Sequence, residues 1–205
     1  MKRTAFAALA CLALAGCATA GSQSGYLDNY DKLKRGSHLQ GFHAESGLAS
    51  VTSMKVSSID TSRANAVPLV SEAAVNHFKG ALESAAQKEG MGSYFLFDSG
   101  AAADADLNLA LTKIDQGNAN SRMWAGELGM GHAIVQVEGK VVSKDGKKLA
   151  SFSEQRRNSG AAGLRDIGGD AGPALVNEML DQLASAIVQE LKAQRNTITD
   201  VEISK

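Results

Sequence analysis

The feature that most limits the fold lies between residues 104 and 155, where apolar and polar side chains alternate in three successive runs. In Asp104–Asp115, Leu107, Leu109 and Leu111 fall on one face, with Asp106, Asn108 and Thr112 on the other. His132–Ser143 repeats the pattern through Ala133, Val135, Val137 and Val141. Asp145-Gly146 follows, a dipeptide suited to a two-residue hairpin turn, and Lys148–Gln155 returns as the partner strand. A period of two puts successive side chains on opposite faces of a sheet, so each run has one face to bury. Two striped helices can cover that face. Ser71–Glu89 carries Val75, Phe78, Leu82 and Ala85, with Pro68 ahead of it and Gly90 behind. The second helix opens at Pro173 and runs to about Gln194, with Val176, Leu180, Leu183, Ile187 and Leu191 spaced 4, 3, 4 and 4.

Ala49–Ile59 and Tyr94–Phe97 read as two further strands. The resulting order predicts a two-layer α+β domain: an antiparallel or mixed sheet of four to five strands with two helices packed on one face. Only 5% of residues are aromatic, so Ala, Val, Leu and Ile must build the core. The expected globular domain is 48–195, followed by a polar tail, 196–205. Ahead of it, 17–47 reads as a flexible tether with a short strap in which Tyr26, Tyr30 and Leu33 are spaced for one helical face. Some thirty free residues span about 30 Å, and the domain is expected to fold without them.

Residues 1–16 have the character of a targeting signal. Met1-Lys2-Arg3 is basic, and Thr4–Ala15 is an apolar run too short to span a bilayer, which takes about 20 residues. The run ends in Leu14-Ala15-Gly16-Cys17, which resembles the lipobox of bacterial lipoproteins. The resemblance implies a signal peptide over 1–16 and Cys17 as the lipid-attachment site. It implies anchoring to a membrane through the N-terminal lipid. Ala18 follows the cysteine, where Asp in Gram-negative lipoproteins marks inner-membrane retention; the implied place is the outer membrane, facing the periplasm. Cleavage would remove Cys11 with Lys2 and Arg3, leaving 19 basic against 22 acidic residues, a formal −3. The mature chain then has no free thiol and no disulfide. A mildly acidic body gives no basic face for nucleic acid and leaves the anchoring to acyl chains.

Chemical motifs are sparse. Gly126-Glu-Leu-Gly129-Met-Gly131 leads into a strand, whereas a dinucleotide fingerprint opens a helix whose N-terminus holds the pyrophosphate. It reads as a turn, and no cofactor is expected. His38, His43, His77 and His132 lack the paired helical spacing of a zinc site, and Asp104-Ala-Asp106 lacks the acidic density of a calcium loop. One candidate interaction surface combines Arg122 and Trp124 with Arg156 and Arg157, since Trp beside Arg is typical of binding hot spots. The other reading makes Trp124 core filler.

Two stretches carry a wider resemblance: Ser24-Gly-Tyr-Leu-Asp-Asn-Tyr-Asp-Lys-Leu33, and Ser121-Arg-Met-Trp-Ala-Gly126 with Gly129-Met-Gly131, Asp145-Gly-Lys-Lys-Leu149 and Arg156-Arg157-Asn-Ser-Gly160. With them the chain is similar to small bacterial lipoproteins classed as domains of unknown function. That group supplies no catalytic residues. The expected function is a non-enzymatic interaction or assembly module with an envelope protein as partner. The alternatives are an envelope hydrolase using Asp/Glu residues and a subunit of an oligomeric secretion assembly.

Overall fold

A computed structural model describes residues 22–64, 68–97, 100, 102–118, 131–158 and 172–203. Six strands form one mixed sheet: β1 (Gly41–Ala44), β2 (Met54–Asp60), β3 (Phe95–Leu96), β4 (Ala105–Asp115), β5 (Ala133–Ser143) and β6 (Lys148–Asn158). Their spatial order is β1-β6-β5-β4-β2-β3. The three alternating runs are the central strands, paired antiparallel, and β2 joins β4 and β3 in parallel. Helix α1 (Pro68–Lys88) connects β2 to β3, and α2 (Gly172–Ile203) closes the chain. The two helices run side by side in the same direction, tied by His77 to Asp181 midway along α1 and by Glu89 to Lys192 just past its C-terminal end.

One apolar cluster joins helices and sheet, and the expected stripes lie in it. Leu107, Leu109 and Leu111 are buried with Val135, Val137 and Val141 of β5, and Leu180, Leu183 and Ile187 of α2 are fully enclosed. Phe78 and Leu82 of α1 complete it. Gly139 is the gap that lets a large ring in: a Cβ built there would lie 2.1 Å from the ring of Phe152, its cross-strand partner. Gly146, at φ 82°, takes the left-handed conformation, but it ends a three-residue loop, Lys144–Gly146, and not the expected two-residue turn. Gly146 N–H bonds the Ser143 carbonyl, Ser143 N–H bonds the Lys147 carbonyl, and Asp145 keeps a negative φ.

Four further expectations change. The sheet has six strands, because Gly41–Ala44 adds β1 antiparallel to β6 within the expected tether. Four residues are too few for a periodic signal. The strand expected over Ala49–Ile59 begins only at Met54; Ser46–Ser50 is a 3₁₀ turn that buries Leu48, and Asp104 draws the Thr52 and Ser53 N–H groups into a loop. The tail expected over 196–205 is helical as far as Ile203. No Gly or Pro interrupts 195–203, and each added residue extends a helix already nucleated. The largest change concerns 17–47, which is fixed to the body from Ser22 onward.

Candidate functional site

The most unusual chemistry among the described residues is a set of buried carboxylates: Glu138 on β5, Glu154 on β6 and Glu190 on α2, each with 0% of its surface exposed. An ionised carboxylate out of water must have its oxygens occupied. Residues 22–40 occupy the Oε2 atom of all three, while Glu138 Oε1 and Glu190 Oε1 take donors from the body and Glu154 Oε1 accepts no hydrogen bond.

Residues 22–26 run along the sheet face opposite the helices, above β5. Ser22 N–H donates to Gln136 Oε1 (3.0 Å), and Gln136 Nε2 donates to the Ser22 carbonyl (2.6 Å). Ser24 Oγ donates to Glu138 Oε2 (3.0 Å), and the Lys140 ammonium lies 4.5 Å from the Tyr26 ring centre. The chain then turns back. Tyr30 drops its hydroxyl onto Glu138 (2.6 Å) while accepting the N–H groups of Ser24, Gly25 and Leu27. Gln136 Nε2 (2.8 Å) and Thr112 Oγ1 (3.5 Å) also reach Glu138. A face that a two-layer domain would leave wet is thus covered, with Leu27 and Asn29 buried beneath the turn.

Beyond Leu33 the chain rounds the β6 edge. Lys34 and Phe42 exchange both backbone hydrogen bonds, which shields β1 on its outer side. The loop between them is held by Glu190, whose Oε2 accepts His38 N–H (2.6 Å) and Leu39 N–H (3.2 Å). Gly36 is required for this approach, since a Cβ there would lie 2.6 Å from the same oxygen. Glu154 accepts Gln40 N–H and lies 3.1 Å from Arg156 Nη2.

Burial pushes the Glu154 carboxyl above its ordinary range, against the opposing pull of the Gln40 N–H, Arg156 and Arg35. The folded chain therefore holds this proton more tightly than the unfolded chain does. That contribution to stability is complete below the usual carboxylate value of 4.5 and is lost as pH rises through the raised folded value. Thermal melts of wild type and Glu154→Gln from about pH 4 to 7 should show the wild-type advantage shrinking with pH. A pH-independent difference would contradict this assignment.

The glutamates could be missed in the sequence because their partners in residues 22–40 lie far away along the chain: backbone N–H groups of His38, Leu39 and Gln40 for Glu190 and Glu154, and the hydroxyls of Ser24 and Tyr30 for Glu138. A signal existed nonetheless. Glu154 stands in register with Ala150 and Phe152, and Glu190 lies between Ile187 and Leu191 on the buried side of α2; both are charges inside apolar faces.

The expected surface of Arg122, Trp124, Arg156 and Arg157 is not gathered into one patch by the described residues. Arg156 is engaged with Glu154 and borders a groove of about 520 Å³ with His38, Gln182 and Gln189. Arg157, next along the strand, is exposed on the opposite face. Arg122, Trp124 and Cys17 lie outside the described residues. Asp104 is occupied by Thr52 and Ser53, chiefly the Thr52 hydroxyl, which hold its carboxyl below the usual range. His77 pairs with Asp181 at 2.9 Å and His43 with Glu45 at 3.0 Å. Among the described residues no cluster of His, Cys, Asp and Glu could hold a metal, and no helix is long and apolar enough to cross a membrane.

A family model described as a domain of unknown function, DUF4410, matches residues 49–163, more than half of the chain. The chain belongs to that family. Its model starts downstream of the segment that the three glutamates hold. No curated protein matches the sequence. Among solved structures, a point variant of the PelC dodecamer from Paraburkholderia phytofirmans is similar over 70% of this chain and 95% of that one, at 16% identity and a TM-score of 0.41.

Proposed function

We propose that the protein is a lipid-anchored envelope lipoprotein, facing the periplasm at the outer membrane, and that it acts as a non-enzymatic interaction or assembly module. The observation that carries the reading is Leu14-Ala15-Gly16-Cys17 directly after a basic start and an apolar run. The disposition of the acidic groups is consistent with the non-enzymatic part. A hydrolase needs two carboxylates open to a substrate, whereas Glu154 and Glu190 are buried and each turns its Oε2 onto the backbone N–H groups of residues 38–40. Metabolic labelling with a fatty-acid analogue should mark the wild type and leave Cys17→Ser unlabelled. Equal labelling of the two would overturn the anchor.

A further inference from the structure

An anchor at Cys17 and a grip on Ser22 constrain one another. Five Cα steps separate the two residues, a reach of at most about 17 Å when fully extended. The free tether of about thirty residues that composition predicts would let the body stand some 30 Å away. Instead, Ser22 is bound through both its backbone N–H and its carbonyl to Gln136, and Ser24 to Glu138. We infer that the clamped N-terminal segment holds the domain down on the lipid surface, with the end of the sheet where β4 finishes, β5 begins and β6 finishes turned toward the headgroups. This rests on the proposed acylation of Cys17.

The groups at that end suit a phospholipid surface. Lys113 of β4 and Gln155 of β6 stand opposite Gln136 in register, and Ile134, one step nearer the end on the same face, stands opposite Asp115 and Arg157. Arg157 is exposed, while Lys113 and Ile134 are half-buried. Lys113 and Arg157 outweigh the Asp115 carboxylate beside this aliphatic side chain, and although the Gln155 side-chain oxygen takes Arg157 Nε and Nη2, the remaining guanidinium N–H groups can reach a phosphate above the acyl boundary. The opposite end of β5, at Ser143, lies about 30 Å further along the strand.

The mature chain has no cysteine besides Cys17, so one introduced thiol gives a unique label. Asp115 and Lys144 are both exposed and sit at opposite ends of the central strands. Asp115→Cys and Lys144→Cys, each carrying a fluorophore, would be reconstituted as the full lipidated protein into phosphatidylethanolamine–phosphatidylglycerol vesicles containing headgroup-labelled quencher lipid. The expected result is quenching several-fold stronger at 115 than at 144. Inserting twenty Gly/Ser residues after Gly21, which leaves the lipobox and the clamp untouched, should bring the two labels to near equality. Equal quenching without the insertion, in protein that floats with the vesicles and has the acyl mass on Cys17, overturns the inference and leaves the anchor standing. Absence of the acyl mass overturns both.

Discussion

A chain beginning at Leu48 is expected to lose the cooperative thermal transition of the full mature chain, or to melt far below it. Such a truncation removes Leu27, Leu39 and Phe42, which are 4%, 2% and 6% exposed in the folded protein. Burial of side chains this size contributes about 1.5–3 kcal/mol each, so the three together approach the 5–15 kcal/mol that separates a typical domain from its unfolded state. The loss goes further than apolar area. Without β1 the β6 edge is open, and Glu154 and Glu190 lose the N–H donors of Gln40, His38 and Leu39. Removing one partner of a buried charged group leaves the other poorly satisfied, which is costly in itself. Circular dichroism melts of both chains check this. A cooperative melt within a few degrees of the full chain would make residues 22–47 an accessory.

Leu183→Ala is expected to cost about 2–5 kcal/mol, the range for a fully buried leucine whose cavity the surroundings cannot refill. Leu183 is 0% exposed, with Leu180, Ile187 and Val188 around it on α2. At about 2–4 °C per kcal/mol for a chain of this size, the melting point should fall by roughly 5–20 °C. Asp181→Ala, on the same helix but with its side chain 61% exposed, should cost well under 1 kcal/mol despite its contact with His77. An unchanged melting point for Leu183→Ala would remove α2 from the core and make its stripe a partner-binding face.

The parts of the fold legible in the sequence were those whose periodicity and burial agree. Leu107, Leu109 and Leu111 alternate and are buried; Val176 through Leu191 recur at helical spacing and are buried. The parts that were not legible depend on contacts between distant segments. Gly41-Phe-His-Ala44 has no pattern of its own and becomes a strand because β6 offers an edge. Residues 22–25 are small and polar, the composition of a linker. They are ordered because Gln136 and Glu138 stand beneath them, two polar residues on the outward positions of β5 that alternation alone assigns to water. The same reversal applies to Glu154 and Glu190. Each reads as a surface charge by residue type, and each is enclosed because a backbone segment folds over it and supplies the donors.

Residues 22–44 belong to the folded body, held by three buried carboxylates. Native-state hydrogen exchange at the amides of His38, Leu39 and Gln40 tests it most directly, because their acceptors are Glu190 and Glu154 and not a backbone ladder. These amides should exchange at least about a hundredfold more slowly than in an unstructured peptide, corresponding to an opening free energy of about 2.7 kcal/mol or more. Exchange at the unstructured rate, in a protein whose β5 and β6 amides remain protected, would contradict the claim and return the segment to the status of a free tether.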